Sequence, residues 1–154
     1  MLVKDRIMIR TMTIDDYEQV RDLWLKIKGF AIRSIDDSKE GVEKFLKRNP
    51  STSVVAIEDG QVVGAILCGH DGRRACFYHV CVAEECRHQG IGKEMATVAM
   101  RALHDEGINK VQLVAFTSNQ VGNQFWHAEG WNEREDYNTY DFVLNEENIV
   151  KFNS

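Results

Sequence analysis

Three β-rich runs follow one another between residues 53 and 82, and both segments that separate them contain Asp-Gly. The runs cover 53–58, 61–69 and 74–82. Asp-Gly between two β-rich runs is a strong hairpin signal, because these residues readily adopt the positive φ angles that tight turns require. The sequence therefore predicts an antiparallel meander of three strands, which does not fit a fold built from alternating strands and helices.

Further helices and strands are predicted on both sides of this meander. The apolar residues of the predicted helices recur at the spacing of one helix face, and glycines mark several helix ends. In chain order these elements are a strand over 7–13, helices over 13–29, 37–49 and 92–107, a strand over 110–116, a short helix over 119–130 and two strand candidates within 131–145. We therefore expect one α+β domain over residues 1–154.

Composition narrows the class of protein and its partners. The chain has 154 residues and a net charge of -5. Nucleic acid is not an expected partner, because binding the phosphate backbone of DNA or RNA requires a basic surface. Residues 1–10 mix charges among their apolar residues, which argues against a signal peptide. The apolar stretch over 62–68 is too short to span a bilayer, so no membrane partner is expected either.

The four cysteines lie close together in the chain, at spacings that match no paired zinc-ligand pattern. They are interpreted as reduced, mostly buried cysteines of a cytoplasmic protein, and no metal site is expected. These residues are Cys68, Cys76, Cys81 and Cys86.

The stretch CRHQGIGKEM, residues 86–95, joins the meander to the helix predicted over 92–107. Gly90 and Gly92 would let a ligand approach the backbone closely. A helix N-terminus presents unpaired N–H groups and the positive end of the helix dipole, which together favour an anion such as phosphate. The alternative is a tight turn without a ligand, because a glycine-rich turn alone is a weak signal. The Walker pattern is absent, and a dinucleotide-binding loop requires alternating strands and helices.

Residues 80–92, VCVAEECRHQGIG, resemble the acetyl-CoA motif of the GNAT superfamily of N-acyltransferases. The family pattern is Arg or Gln, two residues, Gly, one residue, then Gly or Ala, and it reads RHQGIG here. A second family feature is an asparagine, an alanine three positions on, and a Phe-Tyr-Glu motif that ends in Gly and an aromatic residue. This chain has Asn119, Gly122 and FWHAEGW over 125–131. The order of elements also agrees, so the resemblance covers essentially the whole chain.

The resemblance implies the GNAT fold, with a mixed, mostly antiparallel sheet of about six to seven strands and about four helices. The fourth and fifth strands, 74–82 and 110–116, would run parallel and splay apart to admit the pantetheine arm of acetyl-CoA. The pyrophosphate would lie on the backbone N–H groups of the RHQGIG loop. The residues implied at this site are Val80, Cys81, Val82, Arg87, His88, Gln89, Gly90, Ile91, Gly92, Lys93, Asn119 and Phe125.

The activity implied is transfer of acetyl from acetyl-CoA to a primary amine of a small molecule or protein, by direct attack in a ternary complex. In the family a tyrosine on the short helix often protonates the leaving thiolate, but Trp126 occupies that position here. An indole N–H can donate a hydrogen bond but cannot transfer a proton at neutral pH. Trp126 is therefore either an apolar wall residue or a sign of an acyl-CoA-binding regulatory module with little or no turnover.

The candidates for a general base are Tyr78 and His79, on the fourth strand. Histidine is the residue type that titrates near neutral pH. Neighbouring residues in a strand point to opposite faces, so only one of the two would face the acceptor, and a bulge could decide which. Alternatively, His79 is a packed or surface histidine without a catalytic role.

The resemblance places acceptor binding at 25–40 and at the turn over 133–140. Within the first segment, Asp36 and Asp37 could hold a cationic amine or cap the second helix. Many family members dimerise through sheet edges or terminal strands. A homodimer is therefore compatible with the sequence, although nothing in it requires one.

Overall fold

The computed structural model describes residues 6–154, which form seven strands and four α-helices. The strands are β1 (Ile7–Thr11), β2 (Ala31–Arg33), β3 (Val54–Glu58), β4 (Gln61–His70), β5 (Ala75–Val82), β6 (Val111–Gln112) and β7 (Val150–Phe152). The helices are α1 (Tyr17–Lys26), α2 (Lys39–Arg48), α3 (Ile91–Asp105) and α4 (Gln120–Ala128), with single 3-10 turns at Ile14–Asp16 and Glu84–Cys86. The prediction that residues 1–10 are not a signal peptide concerns a segment that lies partly outside the described residues.

The predicted meander is present and forms the centre of the main sheet. Its strand order is β1-β3-β4-β5-β6, and every pair is antiparallel except β5–β6, which is parallel. Asp59 and Gly60, in the first Asp-Gly turn, both have positive φ, as does Gly72 in the second. A separate two-stranded sheet pairs β2 with β7. The predicted α+β class with a mixed, mostly antiparallel sheet is confirmed.

Helices cover both faces of the main sheet, and two glycines of β4 mark where they approach most closely. A Cβ atom on Gly69 would lie 2.7 Å from Cζ of Phe45 in α2, and one on Gly64 would lie 2.8 Å from Cε of Met95 in α3. Positions five residues apart in a strand point to opposite faces. Helices α2 and α3 therefore sandwich the sheet, with Trp24 of α1 fully buried in the same core.

Two sequence predictions about strands are wrong at the C-terminal end. The strand predicted over 110–116 is reduced to the two residues of β6, and neither strand candidate within 131–145 joins a sheet. Strands β2 and β7 instead pair across most of the chain. A three-residue strand is too short to show alternation, and a strand-like pattern does not reveal which partner it has.

Among residues 6–154, no helix is long and apolar enough to cross a membrane.

Candidate active site

Strands β5 and β6 diverge after a short parallel contact. Only Ala75 and Cys76 of β5 pair with β6, so the remainder of β5 has an open edge on that side. The Ala83 N–H donates to the Val63 carbonyl of β4 at 2.8 Å. Because backbone groups alternate between the two sides of a strand, those of Val82 face the open edge. The Val82 N–H therefore faces the opening, whereas the Val82 carbonyl already accepts from the Arg87 Nε at 3.1 Å.

A β-bulge lies in the middle of β5. Ala65 and Leu67 of β4 are two residues apart, whereas their partners Cys81 and Tyr78 on β5 are three apart. The additional residue lies at the position of His79, whose φ of 49° is unusual for a residue other than glycine. A bulge leaves backbone groups unpaired and redirects side chains, and bulges are over-represented beside active sites.

The bulge turns the side chains of Tyr78 and His79 toward the same side of the sheet. The Tyr78 ring meets the Phe45 ring of α2 at 6.0 Å, and the His79 ring meets the Trp24 ring of α1 at 4.8 Å. The prediction that these neighbours point to opposite faces is therefore wrong. The alternation rule fails here because the extra residue breaks the pleat.

His79 forms a buried ion-pair geometry with Asp37, in the segment between β2 and α2. Its Nε2 atom lies 2.9 Å from Oδ1 of Asp37, and the two side chains are 13% and 6% exposed. The Phe30 ring stacks on the imidazole at 5.2 Å. The other Asp37 oxygen accepts from the backbone N–H of Arg33 at 2.7 Å. This second hydrogen bond fixes the orientation of the Asp37 carboxylate.

The sequence did not reveal the role of Asp37. Ser38 caps α2, because its Oγ accepts from the Gly41 N–H at 3.0 Å, so neither Asp36 nor Asp37 is the predicted cap. His79 and Asp37 are 42 positions apart, and no local pattern could have indicated their contact.

Tyr78 is half exposed and differs chemically from its neighbour. Partial burial, followed by the nearby Cys76 thiol, raises the pKa of Tyr78 to about 12. At neutral pH the phenol therefore keeps its proton and can only donate it or share it in a hydrogen bond. Tyr78 does not suit the role of general base.

The RHQGIG loop leads into α3 through left-handed backbone. His88 has a φ of 63°, and Gly90, the N-cap residue immediately before α3, has a φ of 84°. The Arg87 Nε donates to the Val82 carbonyl at 3.1 Å, which ties the loop to the open end of β5. The first N–H groups of α3 therefore lie beside the same strand edge, as an anion site at a helix N-terminus requires.

Gly92 brings three predicted site residues together. A Cβ on Gly92 would lie 3.3 Å from the Phe125 ring and 3.7 Å from Cγ2 of Val82, so a side chain here would press on the ring and touch Val82. Gln89 has a buried side-chain oxygen without a hydrogen-bond partner in the described chain. The two ends of a carboxamide can exchange by rotation, so this end can present an N–H group to an anion. The loop therefore fits a phosphate-bearing ligand.

Helix α4 closes the far side of the opening. Asn119 caps it, and its Oδ1 accepts from the Gly122 N–H at 2.9 Å. Trp126 is 9% exposed and packs against Phe125 at 4.8 Å and Trp131 at 4.7 Å. Aromatic rings therefore contact Trp126 from both the same helix and the segment that follows it.

The cysteines have the character of buried structural thiols. None of the four forms a disulfide within residues 6–154, and three of them are buried. Burial raises the pKa of both Cys68 and Cys81 to about 12. Both remain thiols at neutral pH, so Cys81 can contribute to a ligand site through its backbone but not as a nucleophile.

Known proteins are similar to this chain in sequence and in fold. The family model described as the acetyltransferase (GNAT) family matches residues 17–131. An acetyltransferase of Sodalis glossinidius is 30% identical over 113 residues, which cover 73% of this chain and 78% of that protein. An acetyltransferase of Pectobacterium atrosepticum is 27% identical over 135 residues, which cover 88% of this chain and 90% of that protein.

A solved structure supports the fold independently. The crystal structure of the PaiA N-acetyltransferase from Thermoplasma acidophilum in complex with coenzyme A is similar, with a TM-score of 0.72. It is 19% identical, and the similarity covers 94% of this chain and 96% of that one. The matched family region contains the open edge of β5, the loop before α3 and the cap of α4. The chain belongs to the GNAT family of acetyltransferases and is an acyltransferase of that type.

Proposed function

We propose that this protein transfers an acetyl group from acetyl-CoA to a primary amine of a small molecule or a protein, by direct attack in a ternary complex. The observation that carries the proposal is the meeting of the open β5 edge with the N-terminus of α3. Val82 belongs to the first, Gly92 to the second, and their side-chain positions are in van der Waals range. This arrangement can bind an extended amide chain and its phosphate end together.

Acetyl-CoA is the co-substrate in this proposal. Its pyrophosphate would accept hydrogen bonds from the backbone N–H groups of residues 88–92, where a helix dipole favours negative charge, since the Arg87 N–H already donates to the Glu84 carbonyl. Its pantetheine amides would pair with the exposed backbone of Val80 and Val82, as an added strand would. Phe125 and the Asn119 amide border the path of the arm. Exposed Lys93 and His88 supply further N–H donors near the phosphate end.

His79 is the proposed general base. A primary amine must lose a proton before or as it attacks a thioester, and histidine is the residue type suited to accept one at neutral pH. Asp37 occupies the Nε2 side of the imidazole, so it holds the tautomer in which Nδ1 carries the lone pair. Asp37 is thus a positioning residue, and the segment between β2 and α2 lies on the acceptor side of the sheet.

The β5 bulge would provide the other requirement of the reaction. Attack on a thioester carbonyl builds negative charge on its oxygen, and a fixed backbone N–H can stabilise that charge. The unpaired backbone at the bulge is the candidate donor. Trp126 cannot supply a proton to the departing thiolate. Thiolates are good leaving groups, so solvent can protonate the departing sulfur after the bond to carbon breaks.

The proposal is tested by measuring thiol release from acetyl-CoA with a panel of amines that includes amino acids, polyamines, aminoglycosides and peptide N-termini. Mass spectrometry of each reaction should show an acceptor heavier by one acetyl group. Binding of acetyl-CoA without turnover on any amine would instead favour the regulatory-module alternative. Absence of binding would exclude the site itself.

A further inference from the structure

Two aromatic rings and one carboxylate contact the imidazole of His79, and all three belong to the segment 24–37. The Trp24 ring lies 4.8 Å from the imidazole and the Phe30 ring 5.2 Å from it. Oδ1 of Asp37, 42 positions away in the chain, lies 2.9 Å from Nε2. The orientation of the imidazole therefore depends on what holds this distant segment in place.

The Trp24 ring is placed by its backbone and its packing rather than by a hydrogen bond of its own. The side chain is fully buried, and its indole N–H has no acceptor within residues 6–154. Trp24 lies in the last turn of α1, which ends at Lys26. The carbonyl groups of a last helical turn have no partner in a following turn. A group that binds these carbonyls therefore also fixes the indole ring.

Asn153, next to β7, binds the carbonyl groups at this end of α1. Its Nδ2 donates to the Trp24 carbonyl at 2.7 Å and to the Ile27 carbonyl at 2.9 Å. Only the NH₂ end of the carboxamide suits this position, because two carbonyl oxygens would repel its oxygen end. The Asn153 side chain therefore joins the end of α1 to a segment 129 positions further along the chain.

The backbone of Asn153 holds the second aromatic residue. Its N–H donates to the Phe30 carbonyl at 3.0 Å, and its carbonyl accepts from the Gly29 N–H at 3.1 Å. One residue thus makes four hydrogen bonds to residues 24–30. Trp24 and Phe30, the two aromatic neighbours of His79, lie at the ends of this range.

The pairing of β7 with β2 extends this support to the carboxylate. Arg33 of β2 pairs with Val150 of β7, and the Arg33 N–H donates to Oδ2 of Asp37 at 2.7 Å. The C-terminal segment is thus connected to each of the three groups that contact the imidazole. Asn153 carries the connection to both rings.

We propose that Asn153 is a positioning residue for His79. Its hydrogen bonds fix residues 27–30, and these keep the rings of Trp24 and Phe30 against the imidazole. Misplacing a reacting group by about 1 Å can slow a reaction by roughly a hundredfold, so a residue that touches no substrate can control the rate through the imidazole. The inference rests on the proposed function to the extent that His79 accepts the proton of the acceptor amine.

Asn153→Asp tests the proposal, because it replaces the donating NH₂ group by an oxygen that both carbonyls repel. The ring currents of two aromatic neighbours should displace the NMR signals of the His79 ring protons, which are identified as the signals lost in His79→Gln. In Asn153→Asp they should move toward the values of an unstructured histidine. Asn145→Asp is the matched control, because its Oδ1 can still accept from the Glu147 N–H. The His79 signals should not move in this control.

The kinetic consequence separates positioning from general damage to the fold. With the amine that the panel identifies, kcat of Asn153→Asp should fall roughly tenfold. The dissociation constant of coenzyme A, measured by calorimetry, should stay within about twofold of wild type. A parallel loss of coenzyme A binding would mean a purely structural role and would overturn the proposal. Should circular dichroism show that Asn153→Asp is unfolded, Asn153→Ala removes the same two hydrogen bonds without adding a charge.

Failure of this inference is distinguishable from failure of the proposed function. If His79→Gln leaves acetyl transfer unchanged, His79 is not the base, and the ring-proton signals alone decide whether Asn153 holds the imidazole. If His79→Gln is slow while Asn153→Asp keeps both the wild-type His79 signals and the wild-type kcat, the role of His79 stands and Asn153 does not position it.

Discussion

Nε2 of His79 lies 2.9 Å from Oδ1 of Asp37, and the contact joins the bulged strand β5 to the segment before α2. An enclosed histidine often serves packing alone. The backbone of His79, however, is held at a positive φ beside the opening between β5 and β6. Residues in sparsely populated backbone conformations cluster at functional sites, because the surrounding structure must support their strain. The pair therefore connects the segment before α2 to the proposed acetyl site.

Replacing Asp37 by Asn should slow acetyl transfer, because the neutral amide no longer orients the imidazole or stabilises its charged form. We expect kcat to fall by roughly tenfold to a hundredfold, with a larger loss for His79→Gln, within the range of general base catalysis. Steady-state kinetics of acetyl transfer at neutral pH provide the measurement.

The control for this pair is Glu40→Gln, which removes an exposed carboxylate from the first turn of α2. It should leave the rate close to that of the wild type. If Asp37→Asn and Glu40→Gln behave alike, Asp37 has no part in positioning His79, and the histidine is a structural residue.

Gly90 offers a matched test of the anion site, because its φ of 84° suits only glycine and, with some strain, asparagine or aspartate. Gly90→Asp and Gly90→Asn place side chains of similar size at the start of α3. The aspartate should weaken coenzyme A binding by roughly tenfold more than the asparagine, since it adds a negative charge where the phosphate is expected. Calorimetry gives both dissociation constants, and equal values would exclude phosphate binding at this helix end.

Trp126 should be important for stability rather than for proton transfer. It packs between Phe125 and Trp131, so Trp126→Tyr and Trp126→Phe should each reduce the free energy of unfolding by about 1–3 kcal/mol. The two variants differ only in a hydroxyl group, and their turnover should agree within about threefold. A tyrosine variant that is at least tenfold faster than the phenylalanine variant would show that this position can act as the acid.

Asp16 should make the stability of the protein depend on acid pH. Both of its oxygens accept from the Arg10 guanidinium, at 2.7 and 2.9 Å, and these hydrogen bonds lower the pKa of the Asp16 carboxyl. A carboxyl with a lowered pKa stabilises the folded state above its unfolded pKa of about 4, and that contribution disappears as pH falls through the folded value.

Asp16→Asn should therefore lower the free energy of unfolding by about 1–3 kcal/mol at pH 7 and by progressively less as the pH falls below about 4. The exposed neighbour Asp15 provides the control, because Asp15→Asn removes the same charge without breaking the contact with Arg10. Urea unfolding at several pH values is the measurement. A deficit in Asp16→Asn that stays constant into strong acid would contradict the role of this pair.

Local chemistry made the centre of the fold predictable. The Asp-Gly turns, the meander and the glycine at the start of α3 follow from backbone preferences that residues carry within a few positions of one another. The contacts that complete the candidate site are of another kind. The pairing of His79 with Asp37, and of β2 with β7, joins distant segments, and the bulge that turns Tyr78 and His79 to one side depends on register with β4.

The strand candidates within 131–145 also show that a sequence pattern does not reveal long-range pairing. Their alternation is genuine, with Phe142 and Leu144 on one face, yet a strand exists only where a neighbouring edge accepts it. The pattern therefore identified a segment able to pair without identifying its partner.

The most direct test of the proposed acetyl-CoA site is a titration of the isotope-labelled protein with acetyl-CoA, followed by amide chemical shifts. We predict saturable binding, with the largest changes at residues 80–82 and 87–93, where the β5 edge and the start of α3 meet. Absence of binding at about 1 mM, the upper end of usual enzyme–substrate affinities, or shifts confined to residues away from these two segments, would contradict it.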